Sequence, residues 1–143
     1  MKKMLMSLFL IMSVLLFCST ASAIVDSWMP ANQVTIAWDA VTTLGDGSAI
    51  TSGGTVEYEV VRASADKSDI QVLWSGPETQ VQLTLVAYGR MIFGIKSLLI
   101  VDGQRVSESE YGWSDDPEVV GSAGTFGVLF YQAPAKVTGM TRQ

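Results

Sequence analysis

The sequence predicts an all-β protein, a β-sandwich of two antiparallel sheets preceded by a cleaved signal peptide, and three observations carry this. Beyond residue 23 no stretch keeps a 3.6-residue apolar period with caps. Several stretches instead alternate with period two, bounded by Gly, Pro, Asp and Ser. Turn clusters recur at the spacing of short strands stacked in two layers.

The amino terminus is the first element. Met1, Lys2 and Lys3 make a short basic start, residues 4–18 are almost wholly apolar, and Ala21, Ser22 and Ala23 supply small side chains at a cleavage point. This is the pattern of a secretory signal peptide over residues 1–23, resembling a bacterial one, with a periplasmic or extracellular destination. The apolar run falls short of the roughly 20 residues of a spanning helix, so no membrane insertion is expected after cleavage. Cys18 offers a lesser alternative, a lipidated terminus, but lipidation takes a small residue where this chain has Phe17.

Cleavage leaves 120 of the 143 residues, enough for one domain with a modest core. The remainder has no cysteine, so packing must hold it together without disulfides in an oxidising compartment. With Lys2 and Lys3 removed, seven basic residues face fourteen acidic ones, a net charge of −7. Nucleic acid is not an expected partner, because it calls for clustered Lys and Arg.

In residues 34–39, Val34, Ile36 and Trp38 share one face while Thr35, Ala37 and Asp39 share the other. Residues 55–61 set Val56, Tyr58 and Val60 against Glu57 and Glu59. The same rule groups Ile70, Val72 and Trp74, and then Val81, Leu83 and Leu85. Residues 91–99 are more continuously apolar, which suits a central strand covered on both sides, with Met91, Phe93 and Ile95 in one file. Asp102-Gly103 reads as a tight hairpin turn into residues 104–113. Residues 24–120 form the expected sandwich, and residues 121–143 an apolar extension, an added or exchanged strand.

These strands resemble, in order, those of a fibronectin type III domain. Residues 34–40 (VTIAWDA) resemble its second strand with the core tryptophan at Trp38, residues 57–62 (EYEVVR) its third with Tyr58, and residues 91–97 (MIFGIKS) its sixth. The resemblance spans roughly residues 30–116. It departs at Met91, where the family usually has a tyrosine whose hydroxyl pins a turn, and Tyr88 is a substitute for that role. The first strand is poorly marked in residues 24–33, whereas residues 133–140 (APAKVTGM), at the far end, resemble a family first strand.

Catalysis lacks its usual parts. No histidine is present and no cysteine survives cleavage, so nucleophile-base pairs and most transition-metal sites cannot be assembled. Glu57 and Glu59 share a face at a spacing that glycosidase pairs use, yet two carboxylates on one alternating strand are ordinarily a solvated face. Ser114, Asp115, Asp116 and Glu118 lack the spacing of a defined calcium loop. No catalytic residue, metal or cofactor is expected.

The resemblance implies a secreted binding, adhesion or assembly module with protein, self or other, as partner. A carbohydrate-binding module is the alternative, suggested by four tryptophans, and a glycoside hydrolase ranks last. Trp113, Phe126, Leu129, Phe130 and Tyr131 are the candidate interaction residues, because large aromatic and apolar side chains there exceed the needs of a sandwich complete at Trp113. Residues 126–132 either cover their own sheet or are lent to another copy.

Overall fold

The computed structural model describes residues 24–50, 52–86, 88–131 and 138. Residues 1–23, the expected signal peptide with Cys18, lie outside these residues, as does nearly all of 132–143. Among the described residues there are nine strands: β1 (Ser27–Pro30), β2 (Gln33–Ala37), β3 (Gly54–Ala63), β4 (Gln71–Gly76), β5 (Gln80–Thr84), β6 (Gly89–Val101), β7 (Gln104–Glu108), β8 (Gly112–Trp113) and β9 (Phe126–Phe130). A short helix, α1 (Pro117–Val120), and a 3-10 turn (Gly121–Ala123) separate β8 from β9.

The molecule is all-β and built of two sheets. The larger runs β1-β9-β6-β3-β4, with β7 and β8 also on β6. The smaller is the antiparallel pair β2-β5. Strand β6 is the axis of the large sheet: β3 pairs with it from Ile92 to Val101, and its other side is shared in turn by β7, β8 and β9. Its apolar continuity follows, since Met91 and Phe93 face the second sheet while Ile92 is fully buried on the reverse face.

The two sheets meet through alternating positions. Val34 and Ile36 of β2 and Leu83 of β5, with Leu85 just beyond it, pack on Val60, Met91, Phe93 and Val128 of the large sheet. Trp38, one residue past the end of β2, is half-buried rather than central, with its ring edge-on to Tyr58 at 5.4 Å and to Trp74 at 6.0 Å. The Tyr58 hydroxyl accepts a hydrogen bond from the Val41 amide at 2.9 Å, so a core tyrosine pins the chain as it leaves β2. Tyr88, the expected substitute pin, stacks on Phe130.

The hairpin at Asp102 and Gly103 forms with both residues at positive φ (53° and 73°), the conformation that matches strand twist. In the turn between β3 and β4, the Asp66 carboxylate accepts hydrogen bonds from Ser64 and Ser68, which hold its pKa at about 2.

Two expectations are corrected. Ile70 and Val72 do not join Trp74 in the core: they are 46% and 53% exposed. The pairing slips between Val60 and Val61, so that Leu73 is an extra residue and both it and Trp74 pack inward. The sheets are not wholly antiparallel, because β1 runs parallel to β9. Only Ala31 and Asn32 join β1 to β2, so the chain crosses to the other sheet at once and leaves β1 on the large one. Of the two arrangements open for residues 126–132, an added strand or a lent one, the structure has β9 in its own chain's sheet, between β1 and β6.

Ser114 closes the excursion from β8 to β9 at its base. Its hydroxyl accepts from the Phe93 amide at 3.0 Å and donates to the Phe126 carbonyl at 2.8 Å, and its carbonyl accepts from the Phe126 amide at 2.9 Å. Thr125 ties the same point to the amino-terminal segment through Ile24 and Asp26.

Candidate functional site

The site begins with the backbone of β2. The Trp38 amide donates to the Thr79 carbonyl and the Leu85 amide to the Asn32 carbonyl, which fixes the even-numbered residues of this strand as the ones bonded to β5. In an antiparallel pair the intervening residues point their N–H and C=O groups the other way. Gln33, Thr35 and Ala37 therefore offer a row of donors and acceptors along the outer edge. Among the described residues β5 is the sole strand paired with β2.

Natural sheets guard such an edge with charge, proline, a bulge or a covering segment. Strand β2 reads QVTIA and carries none of the first three. Strand β5 follows β4 after a three-residue turn, residues 77–79, and touches it there. Strand β1 pairs with β9 and does not cover β2.

A hollow flanks each end of this edge. A groove of about 490 Å³ opens beside the carboxyl end of β2, walled by Ile36, Ala37 and Trp38 on one side and by Trp113, Val119 and Phe126 on the other. Its floor is Phe93 and Ile95 of β6, with Phe93 stacked on Phe126 at 6.4 Å. The Trp38 indole nitrogen is buried beside it with no hydrogen-bond partner among the described residues. A second hollow of about 350 Å³ lies at the amino end, between Pro30, Ala31 and Asn32 and the end of β9 at Leu129, Phe130 and Tyr131.

The five candidate interaction residues do not form one cluster, and the ring of Trp113 lies on the reverse face of the large sheet, away from β2. Trp113 and Phe126 line the groove at one end, and Leu129, Phe130 and Tyr131 line the hollow at the other. Tyr131 is the most open, at 68% exposure. Sequence reasoning missed the edge itself and the Val119 and Val120 wall, because the lack of a neighbour is not a property of the strand that lacks it. The sole local signal was the uncharged QVTIA run.

The reverse face of the large sheet is closed by comparison. Trp113 lies flat on Gly94, where an added Cβ would come within 2.8 Å of the ring. Tyr111 sits against it at 5.3 Å and Lys67 covers it at 5.2 Å. Glu59 accepts from the Tyr111 hydroxyl at 2.6 Å and pairs with Lys96 at 3.0 Å; Lys96 also reaches Glu108, which Arg105 holds. The Tyr111 hydrogen bond first, and Lys96 after it, hold the Glu59 carboxyl below its ordinary range. Burial works against the charge on Lys96, yet its hydrogen bonds to Glu59 and Tyr111 raise its pKa on balance. A carboxylate held this firmly as an anion is a poor proton donor.

Near the groove, the Asp116 side chain caps α1 by accepting from the Glu118 amide, and Asp115 is buried against Lys67 at 3.1 Å. Among the described residues no three His, Cys, Asp or Glu side chains converge as metal ligands, and no helix is long and apolar enough to cross a membrane. No protein-family model matches the chain, and no curated protein matches it.

Proposed function

We propose that the chain is an exported, non-catalytic, fibronectin type III-like module that binds protein along the outer edge of β2, in adhesion or assembly outside the cytoplasm. The unguarded row of backbone donors and acceptors on Gln33, Thr35 and Ala37, lying between two hollows, carries this reading. An extended segment added there gains main-chain hydrogen bonds from the edge and specificity from pockets for its side chains.

The type III assignment is supported by the pairing. In immunoglobulin-like sandwiches strands B and E share one sheet and C, F and G the other. Here β2 and β5 pair as B and E do, while β3, β6 and the β7–β9 series take the places of C, F and G. The departure is in the first strand, which such domains place beside B and which here lies on β9.

Protein is preferred to carbohydrate as the partner. A sugar platform needs an open aromatic face, and the four tryptophans are half-buried. Trp28 lies against Gly127 and beneath Arg90, Trp74 against Gly76, and Trp113 between Gly94 and Lys67.

The test is site-specific photo-cross-linking in cells that export the chain, with benzoylphenylalanine at Thr35. A discrete protein adduct is expected from position 35 and not from an exposed control at Glu110. Adducts at neither position would overturn the reading.

A further inference from the structure

We propose that residues 133–140 of one copy add as an antiparallel strand to the free edge of β2 in a second copy, so that the protein assembles head to tail. This rests on the reading of β2 as a binding edge and names its occupant.

The segment has the right pattern. In APAKVTGM, alternation places Ala135, Val137 and Gly139 on one face and Lys136, Thr138 and Met140 on the other. The small apolar file suits an apolar groove floored by Phe93 and Ile95 of β6. Pro134 stands at its start, where a strand tolerates the missing donor. Eight residues at about 3.3 Å each exceed the roughly 17 Å that five residues of β2 present. Thr138, the described residue of this segment, is exposed and belongs to no strand of its own chain.

Geometry favours a second copy over the chain's own edge. The start of β9 (Phe126) shares a groove with the end of β2 (Ala37) and Trp38 after it, and the end of β9 (Phe130) shares a hollow with Asn32 before β2. The two strands therefore run in opposite directions, and the chain leaves β9 beside the beginning of β2. An antiparallel partner must enter at the other end, about 17 Å away, which takes about five extended residues. Only Gln132 lies between Tyr131 and Ala133. The return would consume the segment that is to pair, whereas a neighbouring molecule can supply it at full length. Parallel docking on the chain's own edge is the competing arrangement, and it gives a monomer.

Charge points the same way. Residues 132–143 hold Lys136 and Arg142 and no acidic residue, while residues 24–131 hold five basic and fourteen acidic, a net of −9. Asp39 stands exposed at the mouth of the groove. A donor and an acceptor on different surfaces of one molecule make a contact that repeats into rings or filaments.

Two variants of the chain from residue 24 to 143 test this by size exclusion with light scattering. Thr35→Pro removes an outward donor and spares the bonds to β5; Val137→Asp spoils the apolar file of the donor. Wild type is expected to rise with concentration to at least twofold the monomer mass. Each variant alone is expected to stay monomeric, and their equal mixture to give a dimer, because each keeps the half that the other lost. A monomeric wild type, variants that retain the wild-type mass, or a mixture that stays monomeric would each overturn the proposal. Should circular dichroism show that Thr35→Pro does not fold, a synthetic peptide of residues 132–143 is added to wild type. Loss of the oligomer supports the proposal and an unchanged mass overturns it. A cross-link from Thr35 to a different protein, with a monomeric wild type, removes this inference and leaves β2 as a binding edge.

Discussion

Strands β6 and β2 lie face to face across the same core and treat their hydrogen bonds in opposite ways. Strand β6 is paired on both sides, by β3 along one and by β7, β8 and β9 along the other. Among the described residues strand β2 is paired on one side only. Both bury apolar side chains, so the difference lies in the backbone and in what surrounds the ends. Strand β6 thus spends its backbone groups within the sheet, whereas β2 keeps an outward row of them.

Truncations should separate the two regions. Phe93→Ala, at the fully buried centre of β6, is expected to cost about 3–5 kcal/mol, read by urea denaturation. Trp38→Ala, at the half-buried end beside the groove, is expected to cost less despite the larger ring, about 2–3 kcal/mol. Equal costs would break the contrast, placing Trp38 in the core proper.

The ion pair on the reverse face gives a smaller effect with a defined pH dependence. Glu59 is held below its ordinary value of 4.5, so its contribution is present above that pH and is lost as pH falls through the lower folded value. Glu59→Gln should cost about 1 kcal/mol near neutrality. It should also flatten the fall in Tm between neutral and acid solution relative to wild type; parallel curves would remove Glu59 from the acid response. The smallest effect belongs to the open edge. Thr35→Lys, on an exposed side chain of β2, should change stability by no more than about 0.5 kcal/mol in the same denaturation assay.

Local pattern carried much of the fold. Alternation located the strands around Val34, Tyr58, Leu83 and Phe93, and the paired polar and flexible residues Asp102 and Gly103 located the hairpin, because these depend on neighbours in sequence. What it did not carry depends on neighbours in space. The extra residue at Leu73 reverses the faces of Ile70 and Val72 without leaving a mark in their order. The choice of β9 as the partner of β1 is a competition between distant segments, and the open edge of β2 is its outcome. The candidate residues were visible as large apolar side chains, but their division between the two ends of β2 and, for the Trp113 ring, the reverse face was not.

The bonds around Ser114 give the excursion between β8 and β9 a closed neck. Residues 116–124 leave the sheet and return to nearly the same point, so their number can change while Phe93, Ser114 and Phe126 stay where they are. Doubling such a loop costs only about 0.6 kcal/mol in closure entropy. The same residues supply Val119, Val120 and Ala123 to the wall of the groove. The fold thus holds a replaceable cassette, in which the shape of the groove can diversify under selection while the sheet that carries it is inherited unchanged.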